Sequence, residues 1–209
     1  MIGSVQRGLE RVYRVETELE VEDFLIDEDA RDRIGVARRP REQLLVSHDD
    51  DGMLMALFVD ERALSALRSH DIKTMTEGER LEDFMLVVEG VSHFVFLAWR
   101  ARADRPVSAL ELELQAEIDK YVTCVLSCGD ELARSPVLRR RLFEDFELHD
   151  DLCNEERQRY RVANANAHRY SASLEQRFVR AGRLADMLTE LRWFYRLSLD
   201  DKIDFIRAA

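Results

Sequence analysis

Two ionisable side chains interrupt the most apolar stretch of the sequence. Residues 84–99 are almost wholly hydrophobic, yet they contain Glu89 and His93 four positions apart. In an α-helix this spacing places both groups on one face, about one turn from each other. A helix that is apolar nearly all round is buried, and a buried carboxylate or imidazole requires a polar partner. The pattern predicts a central core helix that carries a polar site.

A second pair of carboxylates, Glu113 and Glu117, has the same four-residue spacing. Both flank the apolar stripe of the next predicted helix, and the short connection between the two helices predicts that they pack antiparallel. Glu113 or Glu117 would then approach Glu89 and His93. Carboxylates and an imidazole on facing helices form a ligand set for iron, manganese or zinc.

The metal interpretation has a structural alternative. Ferritin-like di-iron proteins carry Glu-x-x-His, at spacing three, in two helices. This chain has one Glu-x-x-x-His and no second copy. Buried polar groups commonly satisfy one another. The alternatives are therefore a hydrogen bond between Glu89 and His93, or an ion pair with Arg100 or Lys120.

A polar stripe follows a long predicted helix over residues 151–181 and includes Arg161, Asn164 and His168. An Arg followed after four to six residues by a His, on a helix of a small bundle, resembles the active motif of HEPN-domain ribonucleases. The resemblance implies a dimer and metal-independent RNA cleavage, in which Arg161 stabilises a phosphorane and His168 moves the 2′-OH proton. The alternative is a solvated helix flank whose Arg and Asn side chains pair with acidic neighbours.

Three consecutive aromatic residues, Trp193, Phe194 and Tyr195, lie near the C-terminal end of the sequence. Successive residues of a helix point in different directions, so the three rings cannot all face one core. Aromatic residues and Arg dominate the energetics of protein interfaces. The cluster therefore predicts a surface for a protein partner or a second copy of this chain, unless neighbouring helices cover it.

The three cysteines are Cys124, Cys128 and Cys153, an odd number in a sequence without a secretory signal pattern. Reduced, packed thiols are the simplest interpretation. A Cys₃His zinc site is conceivable with His149, although the C-x₂-C spacing typical of such sites is missing. We expect no cofactor.

Composition limits the function further. The 209 residues carry a formal net charge of −11, which disfavours general attraction to nucleic acid or anionic membranes. The apolar run is shorter than the ~20 residues that span a bilayer. We therefore expect a cytoplasmic protein with no membrane partner. Only eight Gly and three Pro are present, which favours helices over a many-stranded β fold.

The expected fold is α+β and predominantly α. A β-hairpin over residues 43–59, with an Asp-Gly turn, belongs to a small N-terminal module of residues 1–78. This module packs on an antiparallel helical bundle of residues 79–209. Residues 21–26 are a candidate third strand. Helices are predicted near 5–15, 28–34, 60–68, 80–102, 107–128, 136–147, 151–181, 183–196 and 199–207.

The predicted function is non-catalytic: an intracellular protein-binding or scaffold subunit, or a homo-oligomer, that acts through the surface of the bundle. Familiar phosphate-binding and hydrolase motifs are missing from the sequence. The enzyme alternatives are the ribonuclease with Arg161 and His168, and the carboxylate–histidine metal protein.

Overall fold

The structure is a computed structural model that describes residues 1–35, 38–49, 52–69, 76, 80–129, 131–145 and 152–208. These residues form a predominantly helical α+β fold with a small three-stranded sheet, which confirms the predicted fold class. The strands are β1 (Leu25–Ile26), β2 (Glu42–Asp49) and β3 (Gly52–Val59). The helices are α1 (Ile2–Tyr13), α2 (Glu28–Ile34), α3 (Glu61–Ser69), α4 (Arg80–Ala101), α5 (Ala109–Ser127), α6 (Ser135–Phe143), α7 (Asn154–Arg177), α8 (Leu184–Phe194) and α9 (Leu199–Ala208).

Helix α4 is the central element, as its apolar sequence predicts. It packs against α1, α3, α5 and the sheet, and most of its residues are buried. Near the end of α4, Arg100 bonds to Glu111 at the start of α5. Earlier on α4, Ser92 bonds to Asp119, which lies later on α5. The predicted antiparallel packing of these two helices is therefore confirmed, and it places the polar groups of both helices side by side.

The sheet has the order β1-β3-β2. The predicted hairpin is confirmed: β2 and β3 are antiparallel, in a register that pairs Glu42 with Val59 and Asp49 with Gly52. The two residues between Asp49 and Gly52, which belong to the predicted turn, lie outside the described residues. Because side chains alternate along a strand, Glu42 shares a face with Leu44, which packs against the core around α4.

The candidate third strand over residues 21–26 is corrected to two residues. Strand β1 pairs in parallel with β3, whereas Val21–Phe24 is a short 3₁₀ helix. The backbone N–H of Val21 donates to Oε1 of Gln6 on α1, so this part of the segment bonds to a helix instead of a strand.

Side-chain caps mark where several helices begin. Asp27 caps α2, Asp60 caps α3 and Ser108 caps α5, each through a side-chain oxygen that accepts a backbone N–H. Ser135 is the first residue of α6 and not its cap. The Ser135 hydroxyl instead lies 2.7 Å from the Tyr121 hydroxyl in the core.

Helices α6 and α7 are shorter than the predicted ranges 136–147 and 151–181, and residues 146–151 lie outside the described part of the chain. One hydrophobic core includes side chains from α1, β3 and the later helices alike. Among the described helices, none is both long enough and apolar enough to cross a membrane.

Candidate metal centre

A cluster of charged side chains lies where α4, α5, α7 and β2 meet. We call this group the carboxylate cluster. Each member is largely or partly buried, although all are ionisable. Its members are Glu42 of β2, Glu89 and His93 of α4, Glu113, Glu117 and Lys120 of α5, and Arg159 of α7.

Three members of the cluster could each offer one ligand atom to a shared metal ion. One ligand atom each from Glu89, His93 and Glu113 lie within 4.8 Å of one another. Nε2 of His93 is 3.7 Å from Oε2 of Glu113. Zinc ligands lie about 2.0–2.2 Å from the ion, so small side-chain movements would bring all three atoms onto one ion. The predicted approach of Glu113 to His93 is therefore present.

The Nε2 atom of His93 is a buried nitrogen without a hydrogen-bond partner among the described residues. Its residue is only 7% exposed, so solvent does not replace the missing partner. Glu113 is the facing acceptor, but 3.7 Å is too long for a hydrogen bond. Nε2 therefore has an ionic contact with Glu113 but no hydrogen bond, and a ligand at this position would supply the missing bond.

The other ring nitrogen of His93 faces the hairpin. Nδ1 lies 3.4 Å from Oε1 of Glu42, whose side chain is 8% exposed. Glu42 crosses α4 at Gly90, where an added Cβ would lie 3.0 Å from the Glu42 Cγ and 3.2 Å from Leu57. The absence of a side chain at Gly90 is therefore what allows Glu42 to reach the histidine.

Lys120 occupies the neighbouring part of the cluster. Its ammonium lies 2.6 Å from Oε2 of Glu89 and 2.8 Å from Oε1 of Glu117. The ion pair between Glu89 and Lys120 is one of the structural alternatives drawn from the sequence. Arg100 instead bonds to Glu111, a separate buried pair farther along the two helices. Glu117 therefore faces a lysine, whereas Glu113 faces the histidine.

Helix α7 contributes a further cation. Nε of Arg159 lies 3.5 Å from Oε1 of Glu113, close enough for an ion pair but without hydrogen-bond geometry. Formally, four carboxylates then face three groups that carry or accept a positive charge, namely His93, Lys120 and Arg159. A divalent ion would correct an excess of buried negative charge.

The pKa values of the cluster follow from burial and from the neighbouring charges. Burial raises the pKa of the Glu42 and Glu117 carboxyl groups. Burial lowers the pKa of His93, but the charges of Glu42 and Glu113 outweigh this and hold it well above its ordinary value. Burial likewise opposes the charge on Lys120, and the Glu117 and Glu89 carboxylates raise its pKa. The buried cations are stabilised by the buried anions around them.

An open cavity of about 730 Å³ lies beside the cluster, a volume typical of small-molecule sites. Four residues belong both to the cluster and to the cavity wall, namely Glu42, Glu89, Glu117 and Lys120. Arg41 and Tyr160 also line it, together with leucine side chains of α4 and α6. A ligand in this cavity would reach the cluster from the Glu89 side.

The predicted ribonuclease residues lie on a different part of α7. Arg161 is exposed, and Asn164 is partly buried with Nδ2 lacking a partner within the described ranges. Arg139 donates from Nη1 to Nε2 of His168 at 2.5 Å, and the imidazole stacks on Phe143. Burial lowers the pKa of His168, and the Arg139 charge lowers it further. His168 thus has partners of its own within the chain.

The three consecutive aromatics occupy different environments. Phe194 and Tyr195 are buried in the chain's own core, with Phe194 stacked on Tyr170 and Tyr195 stacked on Tyr13. The prediction that these two contact a partner is therefore corrected, because α1 and α7 already cover them. Trp193 is 50% exposed and remains the candidate partner-binding residue of the three.

The cysteines form no disulfide. Cys124 and Cys128 are buried and Cys153 is exposed. Burial raises the pKa of the Cys124 thiol to about 12, which keeps it protonated. His149, the fourth member of the conceivable zinc site, lies outside the described residues.

Sequence reasoning did not find Glu42 or Arg159, which come from distant parts of the chain. The available signal for Glu42 is Gly90. An isolated glycine inside a helix costs about 1 kcal/mol relative to Ala, so it often marks a close approach by another segment. No comparable signal identifies Arg159, since α7 contains many arginines.

No family model, curated protein or solved structure matches this chain. The functional argument therefore depends on the residues and geometry of the site.

Proposed function

We propose that this protein binds one divalent transition-metal ion through Glu89, His93 and Glu113. The observation that carries the proposal is the buried Nε2 atom of His93, which makes no hydrogen bond with the described residues and belongs to a ring with a nitrogen within 4.8 Å of a carboxylate oxygen each from Glu89 and Glu113. One imidazole and two carboxylates are suitable donors for Mn²⁺, Fe²⁺ or Zn²⁺.

The surroundings support an ion that can act on a ligand. Three protein ligands leave coordination positions open, as in catalytic rather than structural metal sites. Glu89 connects the cluster to the cavity, so an open position can be reached by water or a small molecule. A metal at such a position polarises a bound oxygen and lowers the pKa of a bound water.

The test is metal binding to the purified, untagged chain. Titration calorimetry with Mn²⁺ and with Zn²⁺ is expected to give one ion per chain, and His93→Gln and Glu113→Gln are each expected to weaken binding at least tenfold. Glu61→Gln is the control, because this carboxylate on α3 is exposed and pairs with Arg68, which is outside the cluster. Equal affinity in the wild type and His93→Gln, with circular dichroism showing both folded, would exclude this site.

The binding or scaffold role predicted from the sequence is a second proposal. It is favoured by Trp193, a half-exposed indole whose ring rests edge-on against Phe205 and leaves the other side to solvent. A partner that covers Trp193 would leave the carboxylate cluster untouched, so the two roles are compatible.

A further inference from the structure

The carboxylate cluster contains two places where a cation can bind. The first is formed by Glu89, His93 and Glu113 and is the proposed metal position. The second lies between Glu89 and Glu117, where the ammonium of Lys120 makes contacts of 2.6 and 2.8 Å. Glu89 belongs to both places, as a carboxylate with two oxygens allows.

We infer that Lys120 is a built-in replacement for a second metal ion and limits the site to a single ion. The inference rests on the proposed metal binding at the first position. Paired metal sites in enzymes hold two ions about 3.5–4 Å apart, commonly with carboxylates between them. The Glu89 carboxylate, between the imidazole side and the ammonium side, has the position of such a bridge.

The chemistry of the second place agrees with this role. An ammonium is a compact point charge that contacts carboxylate oxygens much as a hard metal ion does, but it is covalently tethered and donates hydrogen bonds. Glu89, Glu117 and Lys120 all line the open cavity, so removal of the lysine side chain would leave two carboxylates accessible to solvent. Two carboxylates completed by water are a sufficient site for Mg²⁺ or Mn²⁺.

Lys120 also determines what Glu117 does. Glu117 repeats the spacing of Glu113 and would be an equivalent ligand on sequence grounds, yet its oxygen bonds to the lysine three residues later on the same helix. The limit of one bound ion per chain is thus a consequence of Lys120 alone. An alanine at this position would remove the charge and leave the space between the two carboxylates open.

The experiment is titration with Mn²⁺ followed by electron paramagnetic resonance. The wild type is expected to bind one Mn²⁺ and to give the six-line spectrum of an isolated ion. Lys120→Ala is expected to bind two Mn²⁺ and to give the broadened, exchange-coupled spectrum of a pair. Lys120→Arg is the matched control, which keeps the cation and is expected to bind one ion.

A second variant keeps the test decisive if Lys120→Ala does not fold. Lys120→Ser also removes the cation and leaves the space between the carboxylates open, so it is likewise expected to bind two Mn²⁺. A single ion on folded Lys120→Ala or folded Lys120→Ser would overturn the inference and leave the proposed metal site intact. No ion on the wild type would instead overturn the proposed function itself.

Discussion

Oε1 of Glu42, on strand β2, lies 3.4 Å from Nδ1 of His93, on helix α4, although 51 positions separate the two residues in the sequence. A carboxylate on one ring nitrogen orients an imidazole and directs its other nitrogen toward a ligand. In this protein the other nitrogen is the unpartnered Nε2 beside Glu113. Glu42 is thus a positioning residue for the proposed metal site, through a contact that only the packed hairpin provides.

The first prediction concerns this positioning. Glu42→Gln keeps the shape of the side chain but removes its charge, so it holds the imidazole less firmly. We expect Mn²⁺ affinity to fall 10- to 100-fold, as is typical when a partner of a metal-bound histidine is lost. Calorimetry measures the change. Glu28→Gln is the control, because it makes the same change at an exposed carboxylate that pairs with Arg31; an equal loss in both variants would argue against a specific role for Glu42.

The second prediction concerns the close contact at Gly90. Gly90→Ala adds a methyl group 3.0–3.2 Å from the nearest atoms of Glu42 and Leu57, so Glu42 must move away from His93. We expect a weaker metal site, by about tenfold in Mn²⁺ affinity. Helix propensity alone would favour Ala by about 1 kcal/mol, which the steric contact opposes.

Gly8→Ala separates the two effects. Gly8 lies in α1, where an added Cβ has no atom within 4 Å. This variant is therefore expected to raise the free energy of unfolding by about 1 kcal/mol and to leave metal binding unchanged. Chemical denaturation and calorimetry on both variants provide the comparison. If Gly90→Ala were equally stabilised and bound metal normally, the close approach of Glu42 would have no functional role.

The third prediction concerns Lys202, a fully buried lysine on α9. Its ammonium lies beside Glu111 and Gln115 of α5. Burial lowers its pKa from the ordinary 10.5 to about 8; the Glu111 carboxylate opposes this shift, Arg100 adds to it and Asp119 opposes it. Its ammonium also donates to Oε1 of Gln115. The folded state therefore disfavours the charged form.

The lowered pKa of Lys202 makes the free energy of unfolding depend on pH. Between about pH 8 and 10.5 the unfolded state binds more protons at Lys202 than the folded state does, so the free energy of unfolding rises with pH in this range. Below this range the charged lysine lowers the free energy of unfolding by about 3 kcal/mol. Lys202→Met is expected to lose that rise. Urea denaturation at pH 7.5 and 9.5 measures it, with exposed Asp201→Asn as control. Parallel slopes for wild type and Lys202→Met would contradict the depressed pKa.

The fourth prediction tests the partner-binding role. If Trp193 lies at a contact between copies of this chain, Trp193→Arg is expected to shift the mass measured by light scattering toward the monomer without lowering the melting temperature, because the indole is half exposed. Val137→Arg changes a similarly exposed apolar residue on α6 and is expected to have no effect. A mass that is unchanged in both variants would leave Trp193 without a role in self-association.

The sequence by itself determined those features that depend on near neighbours along the chain. The apolar pattern of residues 84–99 determined a buried central helix, and the Asp-Gly turn within residues 43–59 determined the hairpin. The short connection after α4 also brought Glu113 toward His93. Each of these follows from helical or strand periodicity, which a single segment contains.

Tertiary structure alone decided which buried charges meet. Glu113 and Glu117 are alike in type and spacing, yet one faces His93 and the other bonds to Lys120, because rotation of α5 against α4 sets the direction of each side chain. Glu42 reaches the cluster only because the hairpin packs across α4 at Gly90. Packing also decides the exposure of the three aromatic residues. Helices α7 and α1 cover Phe194 and Tyr195, whereas Trp193 stays half exposed. Such choices depend on packing between distant segments, which local periodicity does not encode.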